Sequence, residues 1–273
     1  MSIDRLLLIA GQGKIPQLIY HAAQKQGIQV VVVGFRFLPC DPALNPQFVL
    51  YLFSFISVIR IMQEMNVHHI CLSGKIPRSY LFHQDKMGKE VIQFIQALSG
   101  LPDKAVLEAV FTELGNKKDL RLVSPMEFLG DCLTPPGTLT SRFPDQPEWD
   151  DIFFGIPIAR SLADQEIGQT VVLKRHTVLA VEAAEGTDET VERGARQGAG
   201  QVVVVKMART RQSFLADIPA IGPETVKIIA RNGGGIIAVE SGKTLMVEKN
   251  DLIQMANECG VGVVGISDQP THA

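Results

Sequence analysis

Short apolar runs alternate with stretches of helical periodicity through the first half of the chain. "RLLLIA" (5–10) leads into a helical pattern over about 15–26, and "VVVVGF" (30–35) follows. An apolar stretch then runs through 48–59 into "IRIMQEMN", followed by "HICLSG" (69–74), helical stretches near 88–98 and 103–114, and "LRLVS" (120–124). Continuous β-branched runs between helices predict a parallel sheet covered on both faces. Residues 134–147, "TPPGTLTSRFPDQP", hold four prolines and little apolar content, which predicts a linker, because proline is excluded from helix interiors and central strands.

The second half opens with a predicted helix at about 148–165. Next come two β-rich runs about the polar turn "KRH" within 169–183, read as a hairpin. A helix (about 188–197), "QVVVVKM" (201–207), a loop, a helix (about 223–231), "GGIIAVE" (234–240), "TLMVE" (244–248), a helix (about 250–259) and "VGVVGI" (261–266) complete the chain. The fold class predicted is α/β: an N-terminal Rossmann-like doubly wound parallel sheet over 1–133, and a second α/β domain with a mixed sheet over 148–273. Two domains joined by a linker predict a cleft between them as the place for a ligand.

Composition changes this picture little. The 273 residues are 46% hydrophobic and 20% charged with a net charge of −3, so nothing draws the whole chain to nucleic acid or an acidic surface, and any anion site is local. Cys40, Cys71, Cys132 and Cys259 lie far apart, without C-x-x-C spacing, which predicts neither a disulfide framework nor a structural metal and fits a reducing cytosol. The longest apolar run, "FVLYLFSFISVI" (48–59), falls short of the ~20 residues of a spanning helix. It reads as a buried helix or strand–helix corner, with a membrane-surface contact as the second reading.

Four stretches carry candidate chemistry. Gly11, Gln12 and Gly13 end the first strand and open a helix, where glycines let backbone N–H groups approach a phosphate. A tight turn explains them too. Arg36 stands at the tip of the second strand, where a nicotinamide site needs an acid, so that cofactor is not expected. "LSGKIPRS" (72–79) repeats the glycine turn with Lys75 and Arg78 at the carboxyl edge of the sheet. "AVEAAEGTDETVERG" (180–194) gathers Glu182, Glu185 and Asp188 about the Gly186–Thr187 turn. Either Thr187 or Asp188 caps the next helix, with acids favourable in its first turn, or the three carboxylates serve as oxygen ligands for Mg²⁺. "KMARTRQSFLADIPAIG" (206–222) sets Lys206, Arg209 and Arg211 before Asp217, which either closes a turn or serves as metal ligand or base.

Together these stretches resemble the two-domain family of bacterial UDP-2,3-diacylglucosamine pyrophosphatases of lipid A synthesis, unrelated to the calcineurin-like phosphoesterases. The resemblance rests on "LIAGQGKIP" (8–16), "GKIPR" (74–78), "PDKAVLEAV" (102–110), "DIFFGIPIAR" (151–160), "IGQTVVL" (167–173), "VLAVEAAEGTDETVERG" (178–194), "DIPAIGPETV" (217–226) and "AVESGKTL" (238–245). It implies Mg²⁺-dependent attack of water on the β-phosphorus, giving UMP and lipid X. By the same resemblance Asp217, Glu185 and Asp188 are catalytic, with Asp217 and Asp188 on the metal. Gly11, Gln12, Gly13, Lys75, Arg78, Asp103, Gly186, Thr187, Lys206, Gln212 and Glu240 contact the substrate. The implied partner is a lipid-linked nucleotide sugar, met in the cytoplasm with peripheral contact to the inner membrane; nucleic acid is not expected, and a homo-oligomer is left open. The chain departs from the family pattern at Ser213, where an acid is usual, at Leu215, where an arginine is usual, and at Pro102-Asp103-Lys104, in place of Gly-Asp-Asp. A non-catalytic UDP-sugar-lipid binder and a hydrolase of another UDP-sugar are the alternatives this leaves.

Overall fold

A leucine-rich strand (5–10) sits at the centre of one sheet and a valine-rich strand (202–206) near the middle of another in the computed structural model, which describes residues 3–51, 55–76, 120–215 and 218–267. The helical stretches predicted near 88–98 and 103–114, and residues Arg78, Asp103 and Asp217, lie outside the described residues. The chain divides into two units. The first holds residues up to Gly130 together with Ser213–Leu215; the second runs from Asp131 to Gln212 and on from Ile218.

In the first unit β1 (Arg5–Ala10), α1 (Ile15–Lys25), β2 (Gln29–Phe35), β3 (Phe48–Leu50), α2 (Phe55–Glu64), β4 (His69–Ser73), β5 (Arg121–Leu122) and the short α3 (Met126–Leu129) follow in order. The strands form a sheet in the order β3-β2-β1-β4-β5, every described pair parallel. Both faces are covered, so β1 alternates between two cores. Leu7 and Ile9 pack with Val31, Val33, Ile61 and Met62, while Leu6 and Leu8 are buried on the other side. The described parts of the apolar run 48–59 are β3 and the start of α2. Progression from β1 through α1 to β2 runs one way across the sheet, and α2 carries the chain back to β4 on the far side of β1. The carboxyl ends of β1 and β4 therefore flank the point where strand order reverses, which is where ligands of open α/β sheets lie.

The second unit contains β6 (Gly137–Thr138), α4 (Gln146–Asp164), β7 (Thr170–Lys174), β8 (Thr177–Val181), α5 (Thr187–Gly198), β9 (Val202–Lys206), β10 (Ala220–Ile221), α6 (Pro223–Arg231), β11 (Gly235–Glu240), β12 (Leu245–Met246), α7 (Lys249–Glu258) and β13 (Gly262–Ile266). Its main sheet has the order β6-β13-β11-β9-β7-β8 and is mixed, with β9, β11 and β13 parallel and β7 antiparallel to both of its neighbours. Residues of β9 alternate between two cores: Val202 and Val204 face the one shared with α5 and α6, and Val203 and Val205 the one shared with α4. Helix α4 starts in a capping box, with Asp145 accepting from Glu148 N at 2.9 Å and Asp145 N donating to the Glu148 carboxylate at 3.0 Å.

The proline-rich stretch 134–147 is built into this second unit and is not a free linker. Thr134 donates to Thr244 O through both N–H and hydroxyl, β6 pairs with β13, and Arg142 reaches Gly235 O at 2.6 Å and Glu148 at 2.7 Å. Prolines keep the stretch out of the sheet's centre, but a two-residue edge strand leaves ample room for them. The segment 244–248 yields a strand of only two residues, which joins β10 in a separate two-stranded sheet.

The β7–β8 hairpin turns at Arg175 and His176, both at positive φ (51° and 57°). Asp151, a buried residue of α4, accepts from their backbone N–H groups at 2.7 and 2.6 Å. Asp151→Ala is expected to cost about 3 kcal/mol, at ~1.5–3 kcal/mol for each hydrogen bond to a charged group. The check is the urea midpoint at an unchanged m value; an unmoved midpoint would mean that the strand ladder alone holds the turn.

Candidate functional site

In the first unit the two glycine turns pack against each other. Gly11 N donates to Ser73 O (2.8 Å), Gln12 N to Lys75 O (3.0 Å) and Lys75 N to Gln12 O (2.8 Å). A Cβ on Gly11 would lie 2.9 Å from Lys75 O, and one on Gly74, itself at φ +92°, would lie 2.7 Å from the Gly11 backbone. These residues are glycine because two backbones touch there. Gly13, at φ +95°, has open space around it instead. Gly11–Gly13 and Lys75 thus come together at the switch point, where α1 begins without a side-chain cap. Lys14 pairs with Asp41 at 2.8 Å, and that hydrogen bond holds the Asp41 carboxyl below its ordinary pKa.

In the second unit the carboxyl ends of β8, β9 and β11 carry the predicted residues. Lys206, the last residue of β9, lies beneath the Gly186–Thr187 turn with only 5% of its side chain exposed. Its ammonium donates to Thr187 Oγ1 (2.8 Å) and Thr170 Oγ1 (3.2 Å) and stands 3.6 Å from Glu182. Thr187 in turn donates to Glu182 Oε1 at 2.9 Å, and Gln169 N donates to Glu182 Oε2 at 3.1 Å. Burial pushes the Glu182 pKa up, but the Lys206 charge and these hydrogen bonds outweigh it, so the net shift is downward.

Neither Thr187 nor Asp188 caps the helix that follows, although Asp188 and Glu189 do lie in its first turn. Its cap is Gly186, at φ +90°, and no side chain fills that role. Thr187 is drawn instead to the buried lysine–glutamate pair, and Asp188 accepts from Thr225 Oγ1 at 2.9 Å. Glu185 turns away to Arg193 (2.8 Å) and Thr190 (3.1 Å), and its own backbone N–H followed by Arg193 lowers its pKa. Glu182, Glu185 and Asp188 therefore each answer a different partner. Among the described residues no group of three or more His, Cys, Asp or Glu is arranged to hold a metal ion.

Glu240, at the end of β11, is 1% exposed. One oxygen accepts from Arg160 Nη2 and Lys243 Nζ, both at 2.7 Å; the other accepts from Arg160 Nη1 (2.8 Å) and Ala208 N (2.9 Å). A carboxylate has about four acceptor positions, and all are used. Glu240 contacts protein where the resemblance implied substrate. Gln212 accepts from Arg209 N at 3.2 Å, while Arg211 and Ser213 are exposed. Asp164 accepts from Thr210 N (2.7 Å) and Thr210 Oγ1 (2.8 Å), bonds that override burial and lower its pKa. Arg160, Asp164, Thr170 and Thr225 escape sequence reasoning. Their one readable signal is the four-residue spacing of Arg160 and Asp164, which puts both on one face of a helix.

Two sheets with helices on their faces, one parallel and one mixed, define a two-unit α/β protein. The chain belongs to the LpxI family, whose N-terminal domain matches residues 5–132 and whose C-terminal domain matches residues 135–264. It is 27% identical over 277 residues to the UDP-2,3-diacylglucosamine pyrophosphatase LpxI of Caulobacter vibrioides, spanning 97% of this chain and 98% of that protein.

Because its folded pKa is lowered, Glu182 contributes stability above its ordinary value of ~4.3 and loses that contribution as pH falls through the folded value. Glu182→Gln, which strands the Lys206 charge, is expected to cost on the order of 3 kcal/mol at pH 7. The difference from wild type should shrink between about pH 5 and pH 3, read by urea denaturation at stepped pH. Parallel pH profiles would show that the glutamate charge is not what Lys206 requires.

Proposed function

We propose that the protein hydrolyses the pyrophosphate of UDP-2,3-diacylglucosamine, with water attacking the β-phosphorus to give UMP and 2,3-diacylglucosamine 1-phosphate (lipid X), a step of lipid A biosynthesis. The observation that carries this reading is the end-to-end match to a relative named for that substrate, across both family domains. The geometry agrees in kind. A pyrophosphate needs donors and cations fixed before reaction, and each unit has a glycine turn and a helix start at the carboxyl edge of its sheet.

In this reading the Gly11–Gly13 turn, Lys75, Arg78 and Asp103 contact the substrate. The N–H groups after Gly186 offer donors to a phosphate, and Lys206 keeps that turn in place through Thr187. Asp217 orients the water or takes its proton. Glu185, whose lowered pKa keeps it ionised at neutral pH, supports the charge balance as a carboxylate and not as an acid. Mg²⁺, when bound, would neutralise the pyrophosphate; among the proposed ligands Asp188 already accepts from Thr225, so Asp217 bears most of that assignment. Among the described residues no helix is long and apolar enough to cross a membrane, and the proposed contact with the inner-membrane surface is peripheral.

A second reading, a binder that holds the lipid without cleaving it, draws on Ser213 and Leu215, which break the family pattern in the same loop. Losing one transition-state contact commonly costs ~10²–10³ in rate, so the two readings are separated by experiment. UMP release with Mg²⁺ that stops in EDTA and in Asp217→Ala, with the melting temperature held, is the expected result. Lipid retained without any UMP would favour the binder. If the altered loop slows an active enzyme, Ser213→Glu combined with Leu215→Arg should raise kcat about tenfold or more; a lower kcat would mean that the loop has adapted to its present residues.

A further inference from the structure

The described loop 207–212 leaves the sheet at a point where the ladder offers it nothing. Met207 N still donates to Gln169 O at 3.0 Å, but the next peptide, Ala208, is fully buried and has no strand partner among the described residues. A buried peptide without partners is costly. Two side chains take the place of the missing strand: Ala208 N donates to Glu240 Oε2, and Ala208 O accepts from Arg160 Nη1. The same guanidinium holds both Glu240 oxygens, so one fork fixes donor, acceptor and carboxylate together. One helical turn further along α4, Asp164 takes Thr210 N and Thr210 Oγ1. The loop is thereby held at alternate residues by side chains four apart on one helix.

We propose that Arg160 and Glu240 are positioning residues that set the direction in which segment 207–212 leaves β9, and that they act on the reaction through this backbone and not by touching substrate. Glu240 has its acceptor positions filled by protein, which removes it from substrate contact. Stability alone is a poor reason to keep such a pair, because a buried ion pair is often no better than an apolar pair of the same volume. It does give the exit of the chain one geometry, and misplacement of about 1 Å can cost a reaction ~10²-fold. What the segment does for turnover rests on the pyrophosphatase reading; how the segment is held does not.

The test compares Arg160→Lys, Glu240→Gln and wild type by three measurements. These are kcat and KM for UMP release from UDP-2,3-diacylglucosamine, residue-resolved amide hydrogen exchange, and melting temperature. Both variants are conservative: the lysine keeps the charge without the fork, and the glutamine keeps the shape without the charge. The expected result is a fall of about 10²-fold in kcat with KM within about threefold. Exchange at Ala208 and Thr210 should quicken by about tenfold or more while the amides of β9 and β11 stay protected. Unchanged protection at Ala208 would overturn the proposal. So would protection lost equally across β9 and β11, with kcat falling only as far as melting temperature does. If wild type itself releases no UMP, the pyrophosphatase reading fails, and the exchange pattern still decides whether the pair positions the loop.

Discussion

An ammonium group taken out of water must be met by an opposite charge, or the strand that carries it will not stay buried. Lys206 imposes that constraint on the second unit. Four valines before it draw β9 into the centre of the sheet, and the lysine follows them in. Glu182 on the neighbouring turn answers its charge, and Thr187 accepts from one partner while donating to the other. The start of α5 is tied by this link to the ends of two strands. Gly186 can then serve as a bare cap, because the side chains that could have capped the helix are committed elsewhere. An ordinary N-cap would satisfy the first N–H groups from within; here no side chain does.

Features that local chemistry dictates are the ones legible in the sequence. Runs of β-branched residues announce the strands, and the polar turn of the hairpin falls where "KRH" places it. Glycines mark the turns at 11, 74 and 186, since positive φ or backbone contact is a demand made at one residue. The proline stretch is less legible, because prolines state what a segment cannot be without naming its neighbours. Side-chain partners are least legible of all. Arg160 and Glu240 are eighty positions apart in the chain, and nothing in the sequence near either predicts the other. The carboxylates of "EAAEGTD" look alike as letters, yet each is committed by a neighbour from a different element: Lys206, Arg193 and Thr225.

The two units use the same sheet edge by different means. In the first, backbone presses on backbone and glycine is the only residue that fits, so the surface offered to a ligand is main chain. In the second, buried charges hold the turn, and the geometry depends on ionisation as well as on shape. The first is set mainly by sterics. The second weakens once its carboxylates are protonated.

The lengths of the outermost strands bear on behaviour in a crowded solution. An uncovered strand with free N–H and C=O groups is a template on which another molecule can extend the sheet, and the hazard grows with the number of groups in line. The first sheet ends in β3 and β5, of three and two residues, and one side of the second ends in β6, of two. Such stubs offer too few groups in a row to seed intermolecular pairing. The five-residue β8 is the exception, and it carries Val178 at 40% exposure. Among the described strands of these two sheets, β8 is the margin that offers the longest template for sheet extension.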